Sequence, residues 1–469
     1  MTELWALGAC ELALLVRERQ VSAREVVRAH LDRISQVNPA VNAITVLLDD
    51  EALRAADAAD EARRRSEPVG PLTGVPMTVK ENIDLAGSAT TLGIAALKDA
   101  VARHDAPHIG QLRAAGAIAL GRTNMPEFGM RWHTDSALRG PTRNPWSARH
   151  TPGGSSGGDA AAVASGMTPL GMGNDGAGSL RWPAHCCGVA ALKPSLGRVP
   201  QDGGHYPPRP VPFAFQLLAV HGPIARHVRD LRLAFAHMCG DGAGDPWYAP
   251  VPLQGPPVLP PVRVSVISTP NGGSVDPAVA EAINRAARVL ADAGYVVTED
   301  QAPALERAGE IYYQIMSAYS RVREQQPPVE TVAPGAFARF WAGFDAAWTA
   351  AAGTRAFDPM MERAVIARLW DAWMREAPLV LAPVCTRQPF EVGADLEPRW
   401  QAGWPAAIRM CVAVNLVGLP AVTIPVGSDP DGLPVAVQVI GPRFREDLCL
   451  DAAAAIEADM GPATPIDPR

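Results

Sequence analysis

Two serines in glycine-rich turns and one lysine closing an apolar run are the residues whose types and spacing could do chemistry. Ser155 lies in Thr151-Pro152-Gly153-Gly154-Ser155-Ser156-Gly157-Gly158, Ser179 in Asp175-Gly176-Ala177-Gly178-Ser179-Leu180-Arg181, and Lys80 directly follows Pro76-Met77-Thr78-Val79. A serine hydroxyl is a poor nucleophile at neutral pH and needs a base within hydrogen-bond reach. Lysine can be that base only where burial or a nearby cation keeps its amine neutral. A lone lysine at a strand end ordinarily snorkels into solvent; the two serine turns shift the weight towards chemistry.

Each turn has a plainer reading. Gly153–Gly158 could be a flexible linker, an anion-binding loop, or a nucleophile elbow of the G-x-S-x-G kind. Its flanks are apolar, it lacks the Gly-Lys-Ser/Thr ending of a phosphate loop, and Ala148–Pro152 is not the strand an elbow requires. In the elbow alternative Ser155 is the nucleophile, with His185 or His221 as base. Gly176-Ala177-Gly178-Ser179 is either a tight strand–helix turn or a row of amides aimed at one spot, as an oxyanion hole demands.

The wider context resembles the amidase signature family. The motifs are Gly153-Gly154-Ser155-Ser156-Gly157-Gly158, then Gly173-Asn174-Asp175-Gly176-Ala177-Gly178-Ser179-Leu180-Arg181-Trp182-Pro183, then Cys187-Gly188 through Lys193-Pro194. Gly70-Pro71-Leu72, Gly121-Arg122-Thr123-Asn124 and Gly418-Leu419-Pro420-Ala421 extend the match. The resemblance implies Ser179 as acylated nucleophile, Lys80 as general base, and Ser155, on a cis Gly154–Ser155 peptide, as proton shuttle. It implies oxyanion donors at the amides of Gly176, Ala177, Gly178 and Ser179, and a backbone group near the substrate amide at Gly129. Asp175 and Arg181 would hold the turn, and Trp182, three residues past the nucleophile, is expected to touch substrate. Two departures stand out: Ala177 replaces a glycine, so its φ should be negative, and Gly176 stands where threonine is frequent.

Composition narrows the partners. The net charge of −7, with no dense basic run, gives no reason to expect nucleic acid or an anionic membrane. No CxxC pair, secretory leader or 18-residue apolar stretch occurs in the sequence. The chain reads as soluble and cytoplasmic, with no metal, no cofactor, and a homodimer as an open possibility.

Positioning falls to short apolar strands alternating with helices, which argues an α/β fold with a central mixed sheet sandwiched between helices. We read one domain over 1–469: a helical part at 1–65, a core at 66–235, a variable helical region at 240–376 that sets specificity, and the core's C-terminal part at 377–469. Ser22-Ala23-Arg24-Glu25 predicts a capped helix that Asn38-Pro39 should stop. Strands are expected near 43–48, 77–79, 117–120, 169–172, 189–192, 262–267, 379–382, 421–426 and 435–440. Residues 240–261 read as a linker or a surface excursion.

Region 200–375 carries aromatics rather than charge aimed at one point: Tyr206, Phe213, Phe215, Tyr312, Tyr313, Tyr319, Trp341, Phe344, Trp348, Trp370 and Trp373. Trp341, Phe344 and Trp348 share a helical face, which is core or pocket wall. The favoured function is hydrolysis of neutral apolar or aryl carboxamides, with esters and carbamates accessible to the same acyl-enzyme. Alternatives are the glutaminase subunit of a tRNA amidotransferase and, in another class, a catalytically silent binding protein.

Overall fold

The computed structural model describes residues 3–201, 212–240, 242, 244–323, 329–352, 358–461 and 463–469. Its centre is one eleven-stranded sheet. In chain order the strands are β1 (Ile44–Leu47), β2 (Pro76–Lys80), β3 (Ile118–Thr123), β4 (Leu170–Asp175), β5 (Ala190–Lys193) and β6 (Val220–Ala225). They continue with β7 (Arg263–Val266), β8 (Val296–Glu299), β9 (Leu379–Pro383), β10 (Ala421–Ser428) and β11 (Pro434–Ile440). Across the sheet the order is β1-β3-β2-β4-β6-β5-β10-β11-β9-β7-β8. The pairs β3–β2, β2–β4, β9–β7 and β7–β8 are parallel and the rest antiparallel, so the sheet is mixed.

Burial explains which strands were visible in the sequence. Every residue of β2, β9 and β11 is buried, and strands covered on both faces read as unbroken apolar runs. β6 carries His221, Gly222 and Pro223, residues that disguise a strand. β8 is a largely exposed edge strand of Val-Val-Thr-Glu. Neither was anticipated. The strands flanking residues 240–261, β6 and β7, belong to the same sheet.

Helices cover both faces. On one face Ala23–Val41, Gly157–Ala164, Arg181–Cys187, Leu305–Arg323, Ala336–Ala352 and Arg409–Val417 contribute to one apolar cluster. On the other, Pro107–Ala114, Val228–Met238, Pro277–Asp292 and Glu446–Met460 contribute to a second. Among the described residues no helix is long and apolar enough to cross a membrane.

The first long helix corrects one expectation. Ser22 caps it as the sequence indicates, but it runs through Pro39 to Val41 and ends at Asn42, whose φ is 55°. Proline's missing N–H falls in the last turn, where its cost is tolerated by the packing of Val37 and Val41. Asn38 acts beyond the helix instead. Its side-chain oxygen accepts from the amides of Ala43 and Ile44, and its nitrogen donates to Ile44 O, locking the approach to β1.

Candidate active site

Lys80 ends β2 at the carboxyl edge of the parallel pair β2–β4, where open α/β sheets place their ligands. The side chain is fully buried. Its Nζ lies 2.7 Å from Ser155 Oγ, 2.9 Å from Ser156 Oγ and 2.8 Å from Asn174 Oδ1. Burial pushes the amine down to about 7, against the opposing pull of Asp159 and Asp175. A neutral amine has two N–H donors and one lone pair. The Asn174 oxygen only accepts. Ser156 Oγ donates to Asn174 O at 3.3 Å, so it accepts from Lys80. The lone pair is thereby left for the Ser155 hydroxyl.

The turn carrying Ser155 contains a cis Gly154–Ser155 peptide. Thr134 pins both of its sides: Oγ1 donates to Gly153 O and accepts from Gly157 N. Ser156 N donates to Ser179 O at 3.2 Å, which ties the two serine turns together. Asp159, fully buried in the first turn of helix Gly157–Ala164, accepts from Thr123 Oγ1 at 2.8 Å. Burial pushes its carboxyl up to about 7, while Thr123 and Lys80 draw it down.

The second turn is built on one carboxylate. Asp175 Oδ1 accepts from Gly178 N at 2.7 Å, and Oδ2 from Leu180 N at 3.2 Å and Arg181 Nε at 3.0 Å. Burial would raise the Asp175 carboxyl, but the Arg181 guanidinium outweighs it and holds the group well below its ordinary value. Arg181 is fully buried too, donating also to Gln438 Oε1, Asn415 Oδ1 and Cys411 O. Gly178 takes a φ of 103°, and a Cβ there would also crowd Cys411 at 3.2 Å. Ala177 is not among the residues with positive φ.

This geometry corrects the oxyanion set. The Gly178 N–H is spent on Asp175, so it cannot point at a substrate oxygen. The amides of Gly176, Ala177 and Ser179 have no acceptor among the described residues. Ser179 is partly accessible at 9% and lines, with Ser155, a cavity of about 100 Å³.

Trp182 is a second correction. It is fully buried and absent from the cavity wall. Its Nε1 donates to Trp132 O, and its ring stacks on His185 and Phe390. One helical turn carries it into the core behind the site. Gly129 does line the cavity, at a φ of 70°; a Cβ there would stand 3.3 Å from Ser155 Oγ. The remaining wall is largely apolar: Phe128, Met130, Trp132, Phe215, Tyr312, Met316, Phe344 and Trp348. Trp341 packs against the core beside Phe344 rather than lining the cavity. Tyr206 and the Tyr319 side chain lie outside the described residues.

The histidine alternative loses its geometry. His185 faces Ala436 O and Gln388, and His221 stacks on His108. The only side-chain partner of Ser155 Oγ among the described residues is Lys80.

The family model described as Amidase matches residues 25–450. The chain belongs to the amidase family. It is 40% identical to the indoleacetamide hydrolase of Bradyrhizobium diazoefficiens, over 98% of this chain and 87% of that protein. A glutamyl-tRNA(Gln) amidotransferase subunit of Moorella thermoacetica is 34% identical over 97% of each chain. A bacterial aryl acylamidase of known structure superposes with a TM-score of 0.82 at 28% identity, covering 99% of this amidase and 98% of that chain. The protein is a hydrolase of amide carbon–nitrogen bonds.

Several contributors escaped the sequence reading of this amidase. Ser156 and Asn174 sit inside the recognised motifs, yet only the fold turns their side chains onto Lys80. Tyr312, named only among the aromatics of region 200–375, and Asn415 come from helices more than a hundred residues away, and no local pattern announces their bonds to the Gly176 and Asp175 carbonyls.

Proposed function

We propose that this amidase hydrolyses neutral aryl or apolar carboxamides, arylacetamides foremost, through an acyl-enzyme on Ser179. Ser179 Oγ attacks the carbonyl carbon while its proton passes to Ser155 Oγ, whose own proton passes to Lys80 Nζ. The amides of Gly176, Ala177 and Ser179 receive the developing oxyanion. Collapse returns the proton through the same relay to the leaving nitrogen, and water then cleaves the Ser179 ester by the reverse order. The Gly129 N–H is taken by Pro126 O, so the carbonyl of Gly129 remains to accept from the substrate amide.

One observation carries the substrate class. Among the described residues lining the cavity only Arg131 is charged, and its guanidinium is committed to Asp395 and Asp135. A carboxylate- or ammonium-bearing substrate such as glutamine finds no fixed opposite charge, while an aromatic acyl group meets rings. The similarity to an indoleacetamide hydrolase supports the same reading.

The test is a kinetic panel on purified protein. Indole-3-acetamide and phenylacetamide should exceed glutamine and malonamate in kcat/KM by at least about tenfold, equivalent to roughly 1.4 kcal/mol. Glutamine or malonamate as the better substrate would overturn the neutral-pocket reading.

A further inference from the structure

Gly176 has no side chain, yet its carbonyl is held in place. Tyr312 Oη donates to Gly176 O at 2.8 Å. One residue earlier, Asn415 Nδ2 donates to Asp175 O at 2.9 Å. A trans peptide carries its C=O and N–H on opposite sides. A donor fixed on the Gly176 carbonyl therefore sets the direction of the Ala177 N–H, as Asn415 does for the Gly176 N–H. Neither amide has another acceptor among the described residues, so these two bonds orient them.

Tyr312 belongs to helix Leu305–Arg323, far from the glycine-rich turns in sequence. It is 2% exposed, lines the cavity, and packs edge-on against Tyr313 and Trp348. Burial pushes its phenol well above the ordinary range, so the hydroxyl stays a donor. Tyr313 supplies the internal comparison: it is equally buried, and its hydroxyl has no partner among the described residues. Burial alone thus does not account for the aim of the Tyr312 hydroxyl.

We propose that Tyr312 is a positioning residue for the oxyanion hole, acting through the Gly176 carbonyl on the Ala177 N–H. The inference rests on the acylation of Ser179. It makes the helical region a participant in the chemical step, because the same side chain forms part of the acyl pocket and orients a donor to the oxyanion.

The experiment compares Tyr312→Phe with Tyr313→Phe in the full chain, with kcat normalised to active sites titrated by a serine-directed sulfonyl fluoride. That normalisation removes any misfolded fraction. Tyr312→Phe should lower kcat about ten- to hundredfold with KM within about twofold, since one loosened oxyanion donor acts on the transition state alone. An arylboronic acid, a tetrahedral mimic, should lose affinity by a similar factor, while the planar product arylacetate should bind as before. Tyr313→Phe should leave kcat, KM and both affinities within about twofold. A loss confined to KM, or unchanged boronate affinity, would assign Tyr312 to substrate packing and overturn the inference. Wild-type protein that turns over no arylacetamide and is not labelled at Ser179 would instead remove the reading beneath it.

Discussion

The side-chain oxygen of Asn174 accepts from Lys80 Nζ at 2.8 Å. With Ser156 it occupies two of the amine's directions and leaves the third to Ser155. Asn174 in turn donates to Asn82 Oδ1, which lines the cavity. This amide is neutral, so it orients the Lys80 amine without adding a charge that would hold a proton on it.

Asn174→Asp tests that relationship. Burial depresses the Lys80 amine to about 7, so kcat/KM should rise with pH through a limb near neutrality as the amine loses its proton. A new carboxylate at 2.8 Å favours the ammonium and should move the limb up by at least about one pH unit, with at least about a fivefold loss at pH 7. An unmoved limb would mean that Lys80 is not the titrating base.

The serines should separate by role. Ser179→Ala should remove acylation, lowering kcat by at least about a thousandfold. Ser155→Ala should retain more activity, because a water can bridge Ser179 and Lys80. Mass spectrometry after treatment with an aryl sulfonyl fluoride should place the adduct on Ser179. An adduct on Ser155 would reverse the assignment.

What the sequence disclosed follows from where the information is local. Lys80, Ser155 and Ser179 could be singled out as candidates because glycine-rich turns and a strand-end lysine are contiguous patterns, while their roles came from the family resemblance. The buried strands β2, β9 and β11 were legible for the same reason. The fate of the Gly178 N–H was not, because it depends on Asp175 folding back over three residues rather than facing away. Trp182 was misplaced because proximity in sequence to Ser179 says nothing about which way a helix turns its first residues. Phe344 and Trp348 line the cavity while Trp341 does not, a distinction that a shared helical face cannot carry without the packing partner.

The pair Asp175–Arg181 should matter to stability as much as to the turn. Both side chains are fully buried, with Nε 3.0 Å from Oδ2. Asp175→Asn leaves the guanidinium buried beside a neutral partner, and breaking such a pair costs about 3–5 kcal/mol. Urea unfolding should show a loss of that size together with a collapse of activity. A variant as stable as the parent would mean that Gln438, Asn415 and Cys411 O alone satisfy Arg181.

Acid sensitivity is a consequence of the histidines that the chemistry does not use. Burial holds His30, His133 and His185 down to about 4, and His108, stacked on His221, well below its ordinary range. Their folded values are depressed, so between about pH 6.5 and 4 the unfolded chain binds protons that the folded chain refuses. For the three held near 4 this contribution to stability is complete above about pH 6.5 and is lost as pH falls, by roughly 2 kcal/mol each at pH 5. Asp159, raised to about 7, works in the opposite sense and offsets about one of those three. Thermal melts should show Tm falling steeply from pH 7 to pH 5. His133 Nδ1 contacts Thr151 Oγ1, a bond that an asparagine can keep. His133→Asn should accordingly shrink the deficit at pH 5 by roughly 2 kcal/mol, the share of one histidine. A Tm that is flat across this window, or a slope unchanged in the variant, would mean that these imidazoles reach solvent and protonate without unfolding.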